Sequence, residues 1–353
     1  MEFRKLGNTD IDVSAICLGT MTLGEQNSEA DAHEQLDYAL SQDINFIDTA
    51  EIYPVYPRPL TQGRTETYIG NWLKKRGKRD DLIIASKVTG RKEDRTDFRG
   101  VPTRASREQI LQAIDTSLTR LQTDYIDLYQ IHWPDRKTNF FGDIFYEHAP
   151  YEDEIELEEQ LEAMQELIKA GKIRHVGLSN ETSWGVMHAL ELHKTKGLPR
   201  VQSIQNPYNL LQRAWDVNLA EVSIRENVGL LAYSPLAGGV LSGKYRNGVD
   251  PEGSRKLHFP GHKESRYHTP RAYEAVEKYA VLAEKLGMDL ATLSLAFVNQ
   301  QPSVTANIIG ATSLSQLQTD IDSINTKLSD ETLAEIRKIF FEDSMPFNLG
   351  TWN

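Results

Sequence analysis

Short apolar runs alternate with longer amphipathic stretches from about residue 15 to the end of the chain. The runs fall at 15–18, 45–47, 82–86, 125–131, 175–178, 201–204, 229–232 and 306–309. They are mostly continuous, as expected of strands covered on both faces. Between them, apolar residues recur at three- and four-residue spacing, as in Ile110, Ile114, Leu118 and Leu121. That period predicts helices over 29–41, 66–75, 107–121, 157–170, 183–194, 213–227, 271–286 and 313–324. Two more are predicted over 289–299 and 329–340, the last with Ser329 or Asp330 as its N-cap.

Strand–helix units in this number fit a (β/α)8 barrel or a doubly wound open sheet. Eight units in about 310 residues favour the barrel. A dinucleotide-binding open sheet would carry GxGxxG after its first strand; this chain has LGTMTLG there. The expected fold is an α/β TIM barrel with an N-terminal β-hairpin and two extra helices. The hairpin is placed at 2–14, turning at Gly7-Asn8, and lies as a lid on the bottom of the barrel. No linker interrupts the pattern, so residues 1–353 are read as a single barrel domain. Long connections at 52–65, 135–156 and 236–270 all follow strands. In a barrel they open on the catalytic face, as pocket walls and a ligand clamp.

Composition narrows the function. Hydrophobic residues make up 39% of the 353 residues and charged ones 25%, which suits a soluble globular protein. A net charge of −12 argues against nucleic-acid or anionic-membrane binding as the main task; a local basic pocket for a phosphate stays allowed. The one cysteine, Cys17, excludes an intrachain disulfide and reads as a small buried apolar residue. The N-terminus MEFRKLGNTD has no signal-peptide core. The most apolar run, 229–241, contains Pro235, Gly238 and Gly239 and is too short to span a membrane. A cytoplasmic location is expected. No heptad seam is visible, and the oligomeric state stays open.

The chemistry lies at strand ends. Asn-Phe-Ile is followed by Asp48 and then Tyr53, LIIAS by Lys87, YIDLYQI by His132, and RHVGL by Ser179 and Asn180. Singly, each has an ordinary reading. Asp48 could cap a turn, Tyr53 could be a rim aromatic, and His132 alone reads better as a satisfied core histidine. A lysine closing an apolar run is harder to dismiss. Together at adjoining strand ends they read as a site. A tyrosine pKa near 10 is too high for easy proton exchange at neutrality, and a lysine ammonium beside it lowers it. An aspartate would hold that lysine, and a histidine could position a carbonyl oxygen. This is a proton donor aimed at a carbonyl, half of a carbonyl reduction; the hydride needs a nicotinamide. A metal-dependent hydrolase built on His132, Asp135 and Asp48 would lack ligand spacing and would place Lys87 beside a divalent cation.

The motifs GTMTLG, NFIDTAEIY, IIASK, DLYQIHW, IRHVGLSN, QNPYNL, LLAYSPLAGGVLSGKY and IIGATSLSQL run from about residue 14 to 320. In this order the chain resembles the aldo-keto reductase superfamily, in the bacterial Tas-like branch akin to the potassium-channel β subunits. The resemblance implies a barrel that holds NADP(H) extended, without a Rossmann fold, and reduces aldehydes or ketones reversibly. It makes Asp48, Tyr53, Lys87 and His132 the catalytic tetrad, with Tyr53 as general acid. Ser179, Asn180 and Gln205 would bind the nicotinamide carboxamide, and Tyr233 would stack on its ring. Ser234, Pro235, Leu236, Ala237, Gly238 and Gly239 would follow the pyrophosphate. Lys244 and Arg255 would lie near the pyrophosphate or the 2′-phosphate, and Gly310, Thr312, Gln316 and Asp320 by the adenosine end. Gln316 stands where many members have a basic residue, and Asp320 where they often have asparagine. The insert 54–65 is longer than the common version and should reshape the pocket mouth. Read without the family, Ser179-Asn180 could equally be a helix N-cap, and Lys244 and Arg255 solvated loop charges.

The expected function is NADP(H)-dependent reduction of an aldehyde or ketone; the alternative is a cofactor-holding regulatory or scaffold protein with little turnover. The partner expected is a small-molecule carbonyl substrate. Trp133 and the aromatics Phe140, Phe141, Phe145, Tyr146 and Tyr151 predict a partly apolar pocket for aromatic or medium-chain carbonyls, unless they only pack the loop onto the barrel. Arg58 and Arg64 could attract an anionic substrate or stay exposed and idle.

Overall fold

The structure is a computed structural model that describes residues 1–141, 143–258 and 266–347. Strands β1 (Phe3–Lys5) and β2 (Asp12–Ser14) form the antiparallel hairpin. The barrel strands follow: β3 (Ile16–Gly19), β4 (Phe46–Asp48), β5 (Ile83–Val88), β6 (Ile126–Ile131), β7 (Ile173–Ser179), β8 (Val201–Pro207), β9 (Gly229–Tyr233) and β10 (Val304–Ile309). All pair in parallel in chain order, and β10 closes onto β3. The outer ring holds α1 (Glu29–Ser41), α2 (Arg64–Arg76), α3 (Arg107–Leu121), α4 (Leu157–Lys169), α5 (Ser183–Lys196) and α6 (Leu219–Glu226). It continues with the short α7 (Arg255–His258), then α8 (Pro270–Lys285), α9 (Leu290–Asn299), α10 (Leu314–Asp322) and α11 (Asp330–Glu342).

Local sequence accounts for these elements. In α3, Ser106 accepts from the Gln109 amide, and Ile110, Ala113, Ile114 and Leu121 are buried against the strands. That is one apolar stripe behind a capped N-terminus. The two extra helices are α9 and α11, the latter capped by Ser329. One element differs. The helix expected over 213–227 is a 3-10 turn, Ala214–Val217, followed by α6, with Asn218 non-helical between them. The Trp215 indole donates to Ser303 Oγ at 3.0 Å, which draws the turn inward and starts the helix late.

The strand period of two sorts the barrel interior into layers. Phe46, Ala85, Leu128 and Leu231 join Cys17 in an apolar lower cluster. Two residues further along the same faces come Asp48, Lys87, Gln130 and Tyr233. The hairpin plugs the bottom with Leu6, Ile11 and Val13. At Gly7, whose φ is +57°, a Cβ would come within 2.4 Å of Gln202 O, so only glycine lets the turn lie this close. Among the described residues no helix is long and apolar enough to cross a membrane.

Of the long connections, 135–156 packs Phe140 and Phe141 against Trp133 and Tyr53, while Phe145 and Tyr146 are exposed. The connection 236–270 contains two 3-10 turns and α7. Its residues 259–265, like residue 142 and residues 348–353, lie outside the described residues.

Candidate active site

Lys87 rises from β5 into the closed barrel. Its Nζ donates to Asp48 Oδ2 at 2.6 Å, to Thr49 O at 2.8 Å and to Tyr53 Oη at 3.4 Å. Lys87 and Asp48 are fully buried, and Tyr53 and His132 nearly so. Asp48 also accepts from Gln205 Nε2 at 2.8 Å and Gln130 Nε2 at 3.2 Å. The aspartate thus has every oxygen engaged, as a buried carboxylate requires. Gln130 was not anticipated from the sequence, although it stands two residues before His132 on the same strand face.

Electrostatics set the protonation states. Burial pushes the Tyr53 phenol above its ordinary value, with the Asp48 charge adding to the push; Lys87 pulls the other way without winning. The expectation that Lys87 lowers the phenol pKa overall is therefore corrected: desolvation outweighs the ammonium. Burial works against the Lys87 charge, but Asp48 and Tyr53 together raise its pKa. Burial, then the Lys87 charge, holds His132 well below its ordinary value, so the imidazole is neutral. His132 lies edge-on to Tyr53, with ring centroids 5.9 Å apart. Its Nδ1 is buried without a hydrogen-bond partner among the described residues, unlike a satisfied core histidine.

A second chain runs along β7, β8 and β9. Ser179 Oγ donates to Gln205 O at 2.9 Å, Asn180 Nδ2 to His132 O at 2.9 Å, and Tyr233 Oη to Asn180 Oδ1 at 2.7 Å. Ser179 and Asn180 are not the cap of α5; Thr182 is, accepting from the Gly185 amide. Left-handed backbone gathers here. Asn180 (φ 54°), Ser234 (φ 54°) and Ala237 (φ 49°) adopt it without being glycine, at a cost of about 1–2 kcal/mol each. Gly238 (φ 66°) and Gly239 (φ 95°) continue the turn, with Pro235 and Ala237 buried and Leu236 half-buried beside them.

Positive charge surrounds that turn. Lys244 is half-buried; burial and the neighbouring Arg255 lower its pKa, and Asp320 opposes them. Arg255 is depressed by burial. Arg266, not anticipated from the sequence, is buried and touches Gln212 Oε1 at 3.5 Å. Among the described residues no carboxylate pairs with Lys244 or Arg266. Neither Lys244 nor Arg255 is a freely solvated loop charge: both are half-buried, and burial lowers the pKa of each. Beyond them, Thr312 donates its amide and hydroxyl to Gln316 Oε1 at 3.0 and 3.1 Å. Gly310 is exposed, and a Cβ there would meet nothing within 4 Å. Asp320 is buried on α10. Burial, with Asp289 nearby, raises its pKa to about 7, and Lys244 opposes the shift.

Around Tyr53 and Trp133, the residues Ala50, Ile52, Met21, Val55, Phe98, Phe140 and Phe141 form an apolar cluster. Arg58 pairs with Glu25 at 3.1 Å and Arg64 Nη1 donates to Gly24 O at 2.9 Å, so both have local work.

The chain is 50% identical to "Protein tas" of Escherichia coli (strain K12) over 341 residues, 96% of this chain and 97% of that one. It is 40% identical to an "Aldo-keto reductase" of Babesia bovis over 252 residues, 68% of this chain and 88% of that one. It is 32% identical to "Uncharacterized oxidoreductase YrpG" of Bacillus subtilis (strain 168) over 347 residues, 96% of each. The sequence pattern described as "Aldo/keto reductase family" matches residues 15–340. The chain therefore belongs to the aldo/keto reductase family of oxidoreductases.

Proposed function

We propose that this protein is an NADP(H)-dependent reductase of aldehydes or ketones, with Tyr53 as general acid. The observation that carries the reading is the Lys87 ammonium, held between Asp48 and Tyr53 out of contact with water. Burial keeps the phenol protonated, so the proton-donating form is the resting one. When Tyr53 Oη gives its proton to a carbonyl oxygen, the phenolate left behind faces Lys87 Nζ. Asp48 keeps that lysine charged and in place. The neutral His132 can hydrogen-bond the same carbonyl oxygen without competing as an acid.

The residues present suit a dinucleotide. Ser234, Ala237, Gly238 and Gly239 hold left-handed backbone, the two glycines there would let a ligand approach the chain closely, and Lys244, Arg255 and Arg266 supply positive charge for phosphates in a chain of net charge −12. Gln205 bonds Asp48 and Asn180 bonds the His132 carbonyl; with Ser179 they would hold the carboxamide, and Tyr233, its hydroxyl tied to Asn180, would present a ring for stacking. Gly310, Thr312, Gln316 and Asp320 would border the adenosine end. Bound there, a nicotinamide supplies the hydride for the carbonyl carbon. The apolar cluster of Trp133, Phe98, Phe140 and Phe141 favours aromatic or medium-chain carbonyls.

The test is consumption of NADPH with 4-nitrobenzaldehyde by the wild type and by Tyr53→Phe. Removal of the general acid should lower kcat by roughly 10²–10⁴-fold while NADPH still quenches tryptophan fluorescence. Undiminished turnover in Tyr53→Phe would remove Tyr53 from the chemistry. NADPH binding without turnover of any carbonyl offered would favour the regulatory reading.

A further inference from the structure

Between Asp48 and Tyr53 lies Glu51, a carboxylate that the chemistry above does not use. It is almost fully buried. Its Oε1 accepts from the Thr89 amide at 2.7 Å, and its Oε2 from Arg99 Nη2 at 2.5 Å. The Arg99 side chain is only 4% exposed, and its Nη1 has no partner among the described residues. A buried ion pair of this kind adds little stability over apolar residues of the same size, so stability gives no reason for it. Position does.

The backbones of β4 and β5 part company just beyond the barrel. Thr49 N donates to Ala85 O at 2.9 Å, and Glu51 N to Lys87 O at 3.3 Å. The next rung is made by a side chain, the Glu51 carboxylate taking the Thr89 amide. Glu51 thereby fastens the segment two residues before Tyr53 to the segment two residues after Lys87. Through Arg99 it also fastens the 89–106 connection, whose Phe98 packs in the apolar cluster with Tyr53 and Trp133. Gln62 Nε2 donates to Glu51 O at 2.7 Å and Gly63 N to Tyr53 O at 2.8 Å, closing the loop from its far side.

We infer that Glu51 and Arg99 are positioning residues: Glu51 sets the Tyr53–Lys87 separation, and Arg99 holds the Phe98 wall of the substrate pocket against it. This rests on the reading of Tyr53 as proton donor. The residues proposed for the cofactor lie between 179 and 320, at the end of β7 and beyond it, and Glu51 and Arg99 lie before β6, so the two substitutions should separate the kinetic constants. Glu51→Ala should lower kcat roughly 10–100-fold, the cost of misplacing a reacting group, with NADPH affinity unchanged. Glu51→Gln, whose amide oxygen can still accept from Thr89, should recover most of it. The double variant Glu51→Gln/Arg99→Met removes both charges together, avoids stranding either one, and should raise KM with kcat near the Glu51→Gln value.

The experiment measures kcat, KM and NADPH affinity for these variants beside Tyr53→Phe, with amide exchange in segments 49–53 and 87–99. Faster exchange at Thr89 in Glu51→Ala, with the kcat-only loss and its rescue, supports the inference. Wild-type kcat in Glu51→Ala, or a loss shared by kcat, NADPH affinity and thermal stability that Glu51→Gln does not rescue, overturns it. If Tyr53→Phe stays active, the parent reading fails instead. If even the wild type is inactive, unchanged exchange in both segments of Glu51→Ala still overturns the coupling.

Discussion

Lys87 Nζ stands 2.6 Å from Asp48 Oδ2, with both side chains closed to solvent. Each charge is tolerable inside the barrel only because the other is there. Lys87→Met should therefore leave a buried carboxylate without its counter-ion and cost on the order of 3–5 kcal/mol. Asp48→Asn combined with Lys87→Met should be more stable than Lys87→Met alone. Urea denaturation of the wild type and the two variants checks this; equal losses in the single and double variants would mean that the pair is not coupled.

The position of Asp48 and Lys87 at the ends of apolar strand runs made this pair legible in the sequence, and strand periodicity explains why the two meet. Phe46 and Asp48, or Ala85 and Lys87, share a face, so the apolar layer becomes polar two residues on. The period of two also points to Gln130, which the strand-end reading passed over, because His132 follows it on the same face. Arg266 had no such signal: it lies in a connection with no period, and its hydrogen-bond partner Gln212 is 54 residues away. Glu51 lies inside the NFIDTAEIY motif, but nothing in the sequence singles it out from its neighbours. Its partner Arg99 is 48 residues away, and only the fold brings them together. The break at Asn218 was hidden for a related reason, since Trp215 is drawn in by Ser303 on a distant segment.

Protonation states predict the pH profile. Burial raises Tyr53 and lowers His132 from their ordinary values. Neither should titrate across neutrality, so kcat for carbonyl reduction should show no limb near the ordinary histidine value of about 6.5. The loss should come only on the alkaline side, as the phenol ionises. A kcat profile at saturating substrate measures this, and a limb near the ordinary histidine value that disappears in His132→Gln would contradict the neutral imidazole.

Asp320 predicts the opposite kind of dependence, in stability. Its folded value of about 7 lies above the ordinary 3.8, through burial and Asp289 and against the pull of Lys244. Between those values the folded chain holds a proton that the unfolded chain has released. Stability from this group is therefore full below 3.8 and falls as pH rises to about 7. Asp320→Asn does not titrate, so it should raise Tm at about pH 8 and change it little at about pH 4. A Tm difference independent of pH would remove Asp320 as the cause.

Gly239 and Lys244 together predict how the cofactor is gripped. At Gly239 the backbone is left-handed, and an added Cβ would lie 2.9 Å from Lys244 Cε and 3.1 Å from Nζ. Gly239→Ala should strain the turn and push the ammonium aside at once. NADPH affinity, read by fluorescence titration, should fall about tenfold, the equivalent of ~1.4 kcal/mol. Lys244→Ala should reproduce much of that loss without touching the backbone. Comparison with NADH then locates the ammonium. A loss confined to NADPH places Lys244 at the 2′-phosphate; an equal loss for both nucleotides places it at the pyrophosphate, which both share. Full affinity in both variants would mean that the left-handed turn and its lysine serve the fold alone.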